Sequence, residues 1–195
     1  MKTKLIIVFT ILSQSIIAQI AQVSHGNSGY FSAKEFSKEI SLYRAKQFLI
    51  EEVLKTENKV IQFDLDPLAA TNSGELTSLG YKCEEKGEEG ILLGFYGSYW
   101  NAAGVVYQGY RFKNLSRDMA LELLNKITKT IKDSNDFLSK NPDNNNVYFK
   151  FDDLVVLIYT PISEPIIRVF WEDFDAEWTS TAFKRTKKRY EKSLK

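Results

Sequence analysis

Asp64 and Asp66 are the two side chains of this chain best spaced for chemistry. In an extended segment they fall on one side of the strand, with Cβ atoms about 6–7 Å apart, because a strand rises about 3.3 Å per residue. Two carboxylates at that distance suit acid/base hydrolysis or the binding of a divalent cation. Pro67 follows directly and opens a second reading, in which the aspartates only serve a turn. No other residue nearby completes a metal-ligand spacing. Among 195 residues there is one His, His25, and one Cys, Cys83. That excludes a Cys/His zinc site and disfavours a Ser-His or Cys-His triad. The glycines form no phosphate loop followed by Lys-Ser or Lys-Thr. The stretch DNNN at 143–146 lacks the Gly and distal Glu of a calcium loop. The sequence therefore assigns no catalytic residue, no metal and no cofactor. A carboxylate-dependent hydrolase built on Asp64 and Asp66 stands as the enzymatic alternative.

Binding chemistry is more evident. The chain holds 13 Phe, 10 Tyr and 3 Trp, concentrated in FYGSYW (95–100) and YQGYRF (107–112). With a five-residue loop and residue numbers summing to 204, Gly94 faces Tyr110, Gly97 faces Tyr107 and Phe95 faces Gly109. Each glycine is then roofed by a cross-strand ring. Alternation separates two faces. Ile91, Leu93, Phe95, Val105 and Tyr107 form the apolar one, expected against the helices. Tyr96, Ser98, Trp100, Gln108 and Tyr110 form the other, expected to be partly exposed and to bind a ligand. Tyr and Trp bring large apolar area with a polar tip, which suits stacking on a sugar ring or anchoring a protein partner. The bland alternative is an aromatic-rich core.

Charge narrows the partners further. With 26 Lys+Arg against 25 Asp+Glu the chain lacks the basic surplus of a nucleic-acid binder. The surplus it has is local. The last 12 residues carry seven bases and one acid, a stripe able to touch an anionic membrane. Its apolar positions, Phe183, Tyr190 and Leu194, are too sparse for firm insertion.

The N-terminus reads as an export signal. Lys2 and Lys4 precede the apolar run LIIVFTIL, and small residues follow at Ala18 and Ala21. The run is too short for a membrane span. Residues 1–18 are expected to be removed, with cleavage as late as 21 as the alternative. Loss of two lysines and no acid leaves 24 basic and 25 acidic residues, a net −1. The product is expected in the periplasm or outside the cell, with Cys83 a buried small hydrophobe lacking an intramolecular partner.

The elements that must position these residues begin after a leader, 19–32, that contains His25. The remainder, 33–195, reads as a single α+β domain. An amphipathic helix spans roughly 33–56, with Ser32 and Glu35 spaced as a capping box and Phe36, Ile40, Tyr43, Ile50 and Leu54 in its apolar stripe. A strand VIQFDL (60–65) follows. Then comes an antiparallel sheet made of two βββα units, with the helices mostly on one face. The first unit has strands near 78–84, 91–99 and 105–112, then a helix from Arg117 to about Leu138. The second has strands at 147–151, 154–159 and 166–171, then a helix from Ala176 with Asp175 as N-cap. The helix entries FKNLSRDM (112–119) and WEDFDAEW (171–178) match at an offset of 59. Duplication and shared capping chemistry explain that match alike. LVVLIY (154–159) is apolar on both faces and is expected at the centre of the sheet.

Overall fold

The computed structural model describes residues 40–100, 106–142, 144–161 and 164–195. Residues 1–39, where the export signal, the leader with His25 and the Ser32–Glu35 capping box are expected, lie outside them. Helix α1 (Ile40–Phe48) continues into a π-helical turn, Leu49–Leu54. Strands β1 (Asp64–Ala70), β2 (Leu76–Cys83), β3 (Glu88–Trp100) and β4 (Val106–Ser116) lead to α2 (Arg117–Asp133) and the short α3 (Asn135–Lys140). Strands β5 (Asn146–Phe151), β6 (Leu154–Tyr159), β7 (Ile166–Trp171) and β8 (Phe174–Trp178) lead to α4 (Ser180–Ser193). The architecture is α+β, as the sequence implies. Its strands divide between two antiparallel four-stranded meanders, β1-β2-β3-β4 and β5-β6-β7-β8.

Each difference from the sequence reading has a local cause. The last unit gains a fourth strand because Glu172 takes a φ of 50° and turns the chain between Trp171 and its partner Phe174. Asp175 therefore sits in a strand. Thr179 caps the helix, its Oγ1 accepting from the Ala182 N–H at 3.3 Å. The 59-residue match thus overlays a strand-to-helix junction on a hairpin. In the other half, β1 starts at Asp64 and runs on through Pro67. An edge strand tolerates proline, and a register shift between Pro67 and Ala69 accommodates it. The long helix expected over 117–138 breaks at Ser134, whose N–H bonds back to Thr130 O. In α1, the π-turn bond from Lys55 N–H to Ile50 O spaces Leu49 and Leu54 five apart on the buried side. Tyr43 and Ile50, expected in the apolar stripe, are exposed instead.

Strand β3 is the hinge of the packing, with every residue from Ile91 to Tyr96 buried. Ile91, Leu93 and Phe95 enter the main core with Leu123, Leu124 and Ile127 of α2, Phe183 and Tyr190 of α4, and the buried side of β6. Helices α2 and α4 are tied together by Lys187, whose ammonium donates to Asn125 (2.9 Å) and Thr128 (3.0 Å). The other face of the same sheet carries a second core. There Leu79, Cys83, Leu92, Tyr96 and Phe112 pack under Ala45, Leu49 and Leu54. Cys83 is buried, as its sequence context implies. β6 is central, as expected, but only Leu154, Val156 and Ile158 are fully buried.

Lys113 of β4 clasps the two halves, holding Asp152 at 2.7 Å and Asp153 at 2.6 Å across the β5–β6 turn. Asp153 also accepts from the Trp171 indole N–H at 2.9 Å. Burial alone would raise the Asp153 carboxyl, but the bonds from Lys113 and Trp171 outweigh it and hold it below its ordinary value. Burial likewise works against the Lys113 ammonium, and its two aspartate bonds win and raise it. A lowered carboxyl contributes stability above its unfolded value, lost as pH falls through the folded one. A raised ammonium contributes below its unfolded value and loses it as pH rises through the folded one. The clasp therefore works fully between about pH 4 and pH 10. Lys113→Met is expected to cost about 1 kcal/mol at pH 7, discounted for the exposed aspartates. It should also flatten the acid limb of stability in urea unfolding measured from pH 3 to 7. An acid limb identical to the parent's would remove the clasp from the account.

Candidate functional site

The ligand-binding positions expected from the sequence lie where β3 and β4 outrun the sheet. Leu76 of β2 pairs with Phe95, and the Tyr96 N–H reaches Glu75 O at 2.9 Å. From Gly97 to Trp100, β3 is paired only with β4 among the described residues. These residues make a two-stranded arm. Its register sums to 206: Tyr96 opposite Tyr110, Gly97 opposite Gly109, Ser98 opposite Gln108 and Trp100 opposite Val106. The pairing expected at 204 is therefore corrected by two residues of the partner strand. The pairing begins at Trp100 and Val106, which leaves residues 101–105 between them. Gly94 keeps an aromatic partner, now Phe112, while Gly97 meets another glycine and Phe95 meets Arg111.

That shift preserves parity, so Tyr96, Ser98, Trp100, Gln108 and Tyr110 remain alternate positions of one side of the ribbon. The side chains of Ser98, Trp100, Gln108 and Tyr110 lie outside the described residues, as does Val105. Tyr96 is buried in the second core rather than partly exposed, because α1 lies over this face. The expectation of a bare sheet face thus fails at its inner end.

Burial of Tyr96 marks the foot of a groove. Between α1 and β4 runs an open cleft of about 450 Å³ lined by Arg44, Gln47, Phe48, Glu51, Glu52, Gly109 and Phe112. Rings of Phe48 and Phe112 lie 5.7 Å apart, tilted by 38°. A polar chain runs along the helix side: Arg44 donates to Gln47 at 3.2 Å, and the Gln47 amide donates to Glu51 at 3.1 Å. An apolar floor with an amide, a guanidinium and carboxylates on one wall is the usual make-up of a small binding site, and the volume falls in the usual range. Arg44, Gln47, Glu51 and Glu52 were missing from the sequence-based set. They read there as the solvated face of an amphipathic helix, and only the π-turn and the fold of α1 onto β4 give them a floor.

Asp64 and Asp66 occupy a different place. Both are exposed on edge strand β1, opposite Lys82 and Gly80 of β2. They line a pocket of about 140 Å³ with Leu68, Glu89, Tyr190, Ser193 and Leu194. The concavity that a hydrolase would need is present. The burial that would set one carboxyl apart from the other is not. Among the described residues no group of three His, Cys, Asp or Glu side chains is placed to hold a metal ion.

Two phenols nearby feel the sheet strongly. Burial pushes the Tyr81 hydroxyl up to about 12, with Asn114 working the other way. Burial also raises Tyr190, helped by the Glu89 carboxylate. On the last helix, the exposed bases Lys184, Arg185, Lys188, Arg189 and Lys192 share one depression. The apolar residues Phe183 and Tyr190 face inward. Among the described residues no helix is long and apolar enough to cross a membrane. Comparison with family models, curated proteins and solved structures finds no match to this chain.

Proposed function

We propose that this chain is an exported, non-catalytic binding protein that recognises a partner protein or a saccharide through the β3–β4 arm and the groove at its base. The observation that carries this reading is the overrun of β3 and β4 beyond β2, which sets an aromatic-rich ribbon apart from the sheet. Among the described residues, Gly97 to Trp100 pair with no strand but β4. Tyr and Trp combine large contact area with hydrogen-bonding tips. The groove adds polar groups that fix orientation, with Gln47 and Arg44 beside the Phe48–Phe112 floor. Export rests on the N-terminal sequence pattern, and the basic last helix supplies at most a weak electrostatic contact to a membrane.

The test is a binding panel of immobilised neutral and acidic polysaccharides and envelope proteins. Ser98, Trp100 and Tyr110 are replaced together by Ala. Aromatic anchors typically cost about 2 kcal/mol or more each when truncated, so at least a hundredfold loss is expected for each ligand the parent retains. Near-ultraviolet circular dichroism confirms that the cores persist. Undiminished capture of every such ligand would remove the arm from the reading.

A further inference from the structure

The pocket beside β1 holds a set of groups that the arm and its groove do not use. Its wall presents four charged residues, Asp64, Asp66, Lys82 and Glu89. Two of these are already matched. Lys82 pairs with Glu84 at 2.7 Å, and Glu89 pairs with Arg117 at 2.6 Å. The side chains of Asp64 and Asp66 have neither an ion pair nor a hydrogen bond to any described residue; Asp64 exerts only a longer-range pull on the Lys82 ammonium. Two carboxylates on one side of an edge strand thus line the same small space with no ion pair of their own.

A second and independent observation comes from the same lining. Tyr190 is 2 % exposed, and its hydroxyl is buried without a hydrogen-bond partner. A buried, unmatched hydroxyl costs about 1–3 kcal/mol, so a site that leaves one open normally has something to fill it. The strongest charge acting on this phenol is Glu89, itself part of the pocket wall. A third contribution comes from the backbone. Ser193 and Leu194, at the end of α4, line the pocket, and the carbonyls that close a helix carry partial negative charge.

We propose that this pocket binds a compact primary ammonium group, the head of an alkylamine or a lysine-like side chain. An ammonium has three donors and no acceptor. The pocket answers with the carboxylates of Asp64 and Asp66, and the unmatched phenol of Tyr190 belongs to the same lining. Leu68 and Leu194 flank them and suit the first methylenes of the chain behind the charge. The space, about 140 Å³, takes a head group and little more. The site shares no residue with the arm or its groove, so either can fail without the other.

The test is a titration of the full chain with n-butylammonium, followed by amide shifts in NMR. n-Butanol and n-butylguanidinium serve as comparison probes. A saturable, millimolar response is expected for the ammonium, about what so small a ligand reaches, and none for the alcohol. Asp64→Asn with Asp66→Asn should weaken it at least tenfold, and Tyr190→Phe about threefold or more. Both aspartates are exposed, so the double variant folds and carries the test even if the tyrosine variant does not. The arm variant should bind the amine as the parent does. Equal binding by the double variant, or by butanol, would overturn the site; tighter binding of the guanidinium would overturn its ammonium assignment.

Discussion

Phe95→Ala is expected to lower folding stability by about 3–5 kcal/mol, the range for truncating a fully buried phenylalanine. Phe95 is 0 % exposed, at the point where the two meanders meet. Its ring lies 5.2 Å from that of Trp171 and 6.3 Å from that of Phe174, both from the second meander. No neighbouring side chain can collapse into the space without moving one sheet relative to the other. The cost should therefore sit at the upper end. Urea unfolding followed by tryptophan fluorescence reads it directly, because Trp171 is one wall of the cavity that would form. A loss under about 1 kcal/mol would mean that the two sheets do not depend on this contact.

Gly90→Ala is the second large effect, and its cause is backbone rather than cavity. Gly90 pairs with Tyr81 on one side and Ser116 on the other. A Cβ there would run into the Leu115 carbonyl oxygen and stand 2.9 Å from the Tyr81 ring. Overpacking costs about 1–3 kcal/mol and occasionally more, and an obstacle made of backbone in a doubly paired strand cannot swing aside. A loss of about 3 kcal/mol is expected by thermal or urea unfolding. Gly80→Ala is the control. There the nearest atoms are the flexible methyls of Leu68, at 3.4 Å and beyond, so the change should be small. Equal costs at Gly80 and Gly90 would contradict this reading.

Gly90 also shows how the sequence pattern could be right in kind and misplaced in position. A glycine roofed by a cross-strand tyrosine was expected at Gly94 and Gly97; it occurs at Gly90 beneath Tyr81, one strand pair away. The hairpin itself was legible, because glycine punctuation and alternating rings mark its strands. Its register was not, since it depends on which residues close the loop, and alternation cannot count them. The central position of β6 followed from its unbroken apolar run. The doubly buried state of β3 did not, because Gly90, Gly94 and Tyr96 interrupt the pattern that would have announced it.

The same limit governs the sites. The arm residues stood out by type, as clustered Tyr and Trp. Arg44, Gln47 and Glu51 did not, since on a helix they read as a solvated face until β4 supplies the floor. Asp64 and Asp66 were visible from their spacing alone. Tyr190 gave no signal, because a tyrosine between bases near a helix end reads as one more anchor of an amphipathic face. Only the fold shows that its hydroxyl is buried and unmatched, and that the residue shares a pocket lining with two carboxylates that lie more than 120 residues earlier.

Recognition through the β3–β4 arm is most directly measured by amide hydrogen exchange of the chain, free and saturated with a ligand retained in the binding panel. Exchange reports backbone opening segment by segment. The account predicts slowed exchange over residues 96–110 and over Arg44–Glu52 at the groove, with the β5–β8 meander unchanged. Protection confined to the β5–β8 meander or to α4, with the arm exchanging as fast as in the free chain, would contradict it.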